Sequence, residues 1–152
     1  MSKELLTGRE PDAAMFVILL KALKRVIKDE KVNEIVREAA DKWAEHQVAK
    51  QASRIGQIAS AEEFVNDANK KHEAKYGRGV FPFEIKKGKI EGSASSSICP
   101  YGEYVKEESI LCEFCRAFWR KFFKSIFPRM KELILEQSYA RGTDNCVIII
   151  EY

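Results

Sequence analysis

Hydrophobic positions along this chain follow two different periods. In the first half they recur every three or four residues, through Phe16, Leu19, Leu20, Leu23, Val26 and Ile27, which is the spacing of one helical face. Pro11 and Asp12 suit the first turn of that helix, because proline lacks an N–H that would be orphaned there. The polar step Asp29-Glu30-Lys31 interrupts the stripe. A second follows through Val32, Ile35, Val36, Ala39, Ala40, Trp43 and Val48, with Gly56 expected to stop it. The small residues Ala39, Ala40, Ala44, Ala49 and Ala52 allow another helix to come close. Ser60 and Glu63 have the spacing of a capping box. They open a third helix carrying Phe64, Val65 and Ala68 and ending near Gly77.

From Gly79 the period changes to two. Phe81, Phe83 and Ile85 alternate, Lys87-Gly88 supplies a turn, and Ile90 to Ser97 continues as a strand of small residues. Ser109 is placed to cap a helix from Ile110 to about Phe127, halted by Pro128. Its apolar face carries Leu111, Cys115, Phe118, Trp119, Phe122 and Ile126. Glu132 to Tyr139, the turn from Arg141 to Asn145, and Cys146 to Tyr152 read as a second hairpin. Val147 to Ile150 is apolar without alternation, as in a strand buried on both faces. The pattern predicts an α+β fold: an antiparallel sheet of about four strands, packed with the N-terminal helices and a central aromatic-rich helix. We expect one domain over 1–152, helical over 1–77 and α+β over 78–152.

Charge changes this picture little. The 26 basic and 23 acidic residues leave a net +3, too weak a field for a dedicated nucleic-acid binder. No membrane partner is expected, since the apolar run Ala13 to Leu20 is too short to span a bilayer and is followed by Lys21, Lys24 and Arg25. The polar start carries no secretory signal, so a cytoplasmic location is expected.

All four cysteines lie in the last third: Cys99 beside Pro100, Cys112 and Cys115 one helical turn apart, and Cys146 four residues after Gly142. In a reducing compartment such thiols favour metal or redox chemistry over a disulfide framework. Side chains three apart on a helix can share one ion, and a helix N-terminus is expected to lower thiol pKa. Zinc held by Cys99, Cys112, Cys115 and Cys146 is the reading we take forward. Two others stand beside it: Cys115 and Cys146 as small core hydrophobes, and a redox pair formed by Cys112 and Cys115.

The Cys99-Pro100 step, the Cys112/Cys115 pair and the Gly142-Thr143-Asp144-Asn145-Cys146 turn resemble the 4-vinyl-reductase domain family and its relatives, the hydrolases of 2-aminothiazoline carboxylic acid. The resemblance covers roughly the last 70 residues. It implies an α+β small-molecule-binding domain, commonly a homodimer, with a cysteine-rich zinc site beside a pocket for a hydrophobic or aromatic ligand. Carried over by position, Cys146 matches the cysteine after the turn and Cys112 an earlier ligand. Ser138 stands where metal-binding members have a further cysteine, so Cys99 and Cys115 would complete the set.

The pocket is expected to be lined by Phe81, Phe83, Tyr101, Tyr104 and Trp119. Phe118 and Phe122 are expected in the core, with Trp119, Phe123 or Phe127 left for a ligand or a partner subunit. Glu103 or Glu107 could act as base beside a three-ligand zinc, and His46 and His72 are further candidates for ligand or base. Arg116, Arg120, Lys121, Lys124 and Arg129 form a basic side that reads as a solvated helix face. Neither a dinucleotide loop nor a Gly-x-Ser-x-Gly elbow is present. Three functions follow as expectations. They are a ligand-binding domain with structural zinc, a zinc- or thiolate-dependent hydrolase of a cyclic C–N bond, and a subunit that assembles through its helices.

Overall fold

The computed structural model describes residues 10–152. Three helices come first: α1 (Glu10–Lys24), α2 (Asp29–Ala49) and α3 (Ala61–Tyr76). α1 buries Ala13, Val17 and Leu20 and leaves Met15, Ile18 and Leu19 exposed. The expected stripe holds at Leu20 and at Phe16, Leu23 and Ile27, which pack against the same cluster, whereas Leu19 and Val26 point to solvent. Lys21 and Lys24, in its last turn, reach Glu107 at 2.8 Å and Glu108 at 2.6 Å. Both pairs place cations at the helix's negative end and fasten it to the segment before the aromatic helix.

α2 buries Val32, Val36, Ala40, Ala44 and Val48, and its two alanines let the aromatic helix lie close alongside. The helix ends at Ala49, not at Gly56. A 3-10 turn over Ala52–Arg54 follows, and Gly56 bends the chain at φ +67°. The N–H groups of Gly56 and Ile58 then donate to the carbonyls of Ser125 and Ile126, so tertiary hydrogen bonds outcompete further helix. The cap on α3 is as expected at Ser60, whose hydroxyl accepts from Glu63 N–H at 3.2 Å. The return bond differs, because Glu63 accepts from Ala59 N–H.

Four antiparallel strands, β1 (Phe83–Lys86), β2 (Lys89–Ser95), β3 (Glu132–Gln137) and β4 (Asn145–Glu151), form one sheet in the order β1-β2-β4-β3. Lys87 and Gly88 both take positive φ, the geometry of a two-residue turn matched to strand twist. β2 stops at Ser95, two residues early. There Ser95 Oγ accepts from Ser97 N–H and a 3-10 turn carries Ser96–Ile98 away. The register sets Phe83, Gly92, Ile148 and Leu135 in one row, with Ala94 opposite Cys146. That row has no room for a side chain at Gly92: a Cβ there would stand 2.6 Å from Phe83 Cε1.

A short helix, α4 (Tyr104–Glu107), leads into the aromatic helix α5 (Ile110–Ile126). Ser109 does not cap α5. It sits at φ −64°, ψ −16° and makes no side-chain cap bond, because a capping residue needs extended backbone. Beyond the far end of α5, Lys124 Nζ donates to the carbonyls of Pro128 and Met130.

The buried residues form two clusters. The larger packs Phe64 of α3 and Phe122, Phe123 and Phe127 against the inner face of the sheet. The smaller joins Val17, Leu20, Val32, Val36, Val105 and Leu111 around α1 and the start of α5. Among the described residues no helix is long and apolar enough to cross a membrane.

Candidate functional site

A cavity of about 990 Å³ draws its lining from both clusters, a size that suits a small-molecule site. One wall carries Cys99, Cys112, Cys115 and Cys146 with Tyr101 and Tyr139. His72, Phe81, Phe118 and Trp119 add an aromatic part to the lining. Arg54, Asp67 and Lys71 add charge.

The cysteines arrive from three directions. Cys146 lies on β4 just past the turn, opposite Ala94 on the sheet's inner face. Cys112 and Cys115 occupy the first two turns of α5, and Cys99 ends the 3-10 turn after β2. All four are free thiols. Burial pushes every one up: Cys99 to about 11, and Cys115 well above the ordinary 9.0. The expected lowering by the helix N-terminus is thus overridden, because desolvation disfavours a thiolate more than the helix end favours it. Charge on any of Cys99, Cys112 or Cys146 would raise Cys115 further, so the sulfurs sit within electrostatic reach of one another.

Polar donors lie near three of these sulfurs. Tyr139 N–H donates to Cys146 Sγ at 3.3 Å. Near Cys112, Ala140 N–H and the Ser138 hydroxyl favour the thiolate, and near Cys99 the Tyr101 and Gly102 N–H groups do so, each opposing the effect of burial. Ser138, the residue in place of a fifth cysteine, is 1% exposed and sits against Cys112. In donor chemistry the set suits a thiophilic ion. As the side chains stand, no group of three or more His, Cys, Asp or Glu among the described residues is arranged to hold a metal.

Of the expected pocket residues, Phe81, Tyr101 and Trp119 line the cavity. Phe83 lies behind them in the core, edge-on to Phe64 at 5.8 Å, and Tyr104 packs against the smaller cluster. Phe118, expected in the core, faces the cavity from a half-buried position; Phe122 is buried as expected; Phe123 is buried yet also lines the cavity, and Phe127 is core alone. Glu103 is taken up by Tyr139 and Lys106, and Glu107 by Lys21; neither carboxylate lines the cavity. His46 is exposed beside Trp43 on α2. His72 is buried and faces the cavity.

Most of the basic side of α5 is bound to the chain itself. Arg116 pairs with Glu113, Lys121 with Glu45, and Lys124 and Arg129 with backbone carbonyls. Two features had no reading in the sequence. Asn69 holds the edge strand β1 through both backbone groups of Phe83, at 2.9 and 2.7 Å. Arg54 and Lys71 both pair with Asp67 at the cavity. Only the Asp67–Lys71 spacing of four, typical of a helical ion pair, was a visible signal.

Among curated proteins none matches this sequence. The family described as L-2-amino-thiazoline-4-carboxylic acid hydrolase matches residues 8–150, taking in the N-terminal helices as well as the cysteine-bearing third. With nearly the whole chain covered, this protein belongs to the L-2-amino-thiazoline-4-carboxylic acid hydrolase family.

Proposed function

We propose that the cavity is a hydrolase-type site for a small cyclic molecule, and that the four cysteines hold zinc at its wall. The observation that carries this reading is the gathering of Cys99, Cys112, Cys115 and Cys146 in the lining of one cavity whose remaining lining is rich in aromatic side chains. The family's description supports a substrate with a ring C–N bond and a carboxylate. In such a reaction water adds to the ring carbon, the C–N bond breaks, and the nitrogen leaves with a proton.

The thiols would serve as ligands, not nucleophiles. A nucleophilic cysteine needs a lowered pKa, and all four here are raised. Zinc would supply the positive charge that keeps them ionised, and four sulfur ligands would make the site structural. The shared cysteine pattern supports the wider likeness to 4-vinyl-reductase domains, and a hydrophobic or aromatic ligand in place of a substrate is the second form of the same reading. A cytoplasmic setting and a homodimer complete it, the latter supported by the exposed Met15, Ile18 and Leu19 on one face of α1.

The test has two arms. Metal content is measured on protein purified without added zinc; about one equivalent is expected, and less than half with four titratable thiols defeats the zinc site. The protein is then incubated with L-2-amino-thiazoline-4-carboxylic acid. Ring opening followed by chromatography supports the hydrolase, and neither turnover nor calorimetric binding removes it.

A further inference from the structure

If the four thiols close around a metal, the hydrolytic water must lose its proton to some other group. Two carboxylates line the cavity: Asp12 is exposed to solvent on α1, and Asp67 is already paired with both Arg54 and Lys71. His72 is different. It projects from α3 into a cage of Tyr76, Phe81, Phe83 and Trp119, with ring centroids between 4.6 and 5.9 Å away. Its Nδ1 lies 2.7 Å from the carbonyl oxygen of Ala68, one helical turn back. A carbonyl only accepts, so Nδ1 carries the proton and Nε2 is left with its lone pair. Among the described residues no side chain or backbone group bonds to Nε2, and the residue lines the cavity.

We infer that His72 is the catalytic base of this cavity, its Nε2 taking a proton from the water that attacks the substrate ring. The inference rests on the hydrolase reading above. As the water oxygen adds to the ring carbon, its proton passes to Nε2. When the C–N bond breaks, the same proton goes to the departing nitrogen and the imidazole returns to neutral. The Ala68 carbonyl holds the ring through both steps, and its partial negative charge stabilises the transient imidazolium. Burial sets the resting state: desolvation lowers the pKa of His72, aided by the positive charges of Lys75 and Arg54, while the Ala68 bond and Asp67 oppose it. The base is therefore unprotonated at neutral pH, as its role requires.

Two histidines are present in the chain, so His46→Gln leaves His72 as the only imidazole. Long-range proton–nitrogen NMR on that variant is expected to show the Nδ1–H tautomer with a pKa below the ordinary 6.5; an Nε2–H tautomer overturns the inference without any change at position 72. Turnover of L-2-amino-thiazoline-4-carboxylic acid is then followed against pH in wild type, His72→Gln and His72→Phe, the last chosen to fill the aromatic cage. Both variants should lose kcat by at least about a hundredfold while retaining the thermal transition, and the acid limb of the wild-type profile should follow the pKa read by NMR. Variants that keep wild-type kcat overturn the role of His72 and leave the hydrolase reading intact. An inert wild type overturns both.

Discussion

Burial acts on the two reactive residue types of the cavity in opposite directions. It pushes the thiols up and the His72 imidazole down, so without metal all five groups are neutral at pH 7. Two expectations follow at this scale. In metal-stripped, folded protein the thiols should react with a disulfide reagent more slowly than after unfolding, with Cys115 last; uniformly fast labelling would contradict the burial. Gly92→Ala should cost about 1–3 kcal/mol in a urea melt, because its Cβ would stand inside contact distance of both Phe83 and Ile148. Spacing marked the four cysteines as a set, but neither their neighbours across the sheet nor any role for Gly92 could be read from it. Their meaning depends on register, since Ala94 beside Cys146 and Gly92 beside Ile148 are settled by strand pairing across more than fifty residues.

The elements themselves were more legible, and the exceptions share a cause. Periodicity located three helices, two hairpins and the aromatic helix, because burial of one face selects the period. Helix ends were read poorly wherever a distant segment supplied the hydrogen bonds. α2 stops at Ala49 because the following loop bonds to the end of α5, and Ser109 fails as a cap because the backbone is already helical there. Asn69 is the clearest case of a tertiary bond without sequence signal. Its amide acts as a substitute strand for β1, satisfying the N–H and the carbonyl of Phe83. Asn69→Ala should cost about 1–3 kcal/mol and raise amide exchange in β1 and its turn before any other strand. Ser60→Ala, which removes only the α3 cap, should cost about 1 kcal/mol without singling out β1. Equal exchange patterns in the two variants would deny Asn69 this role.

At the scale of the whole molecule, metal and free-thiol states predict opposite responses to pH. Without metal, folded Cys99 keeps its proton to about 11, whereas an unfolded chain loses it near 9.0. Between those values the folded state binds more protons, so stability falls as pH rises. The contribution is complete below 9.0 and gone once the pH has passed about 11. Zinc reverses the sign. Bound cysteines are thiolates in the folded state and thiols when unfolded below 9.0, so stability is lost as pH falls and protons compete for the sulfurs. His72 also destabilises the fold in acid, because its lowered pKa makes protonation costly there, but it does so in both states and cancels in their difference. Urea midpoints measured from pH 5 to 10, with and without a chelator, should therefore diverge. The native preparation should gain most over the chelated one near neutrality and lose that advantage toward pH 5, while the chelated protein alone weakens above pH 9. Superimposable curves would mean that the four sulfurs share a cavity wall without sharing an ion.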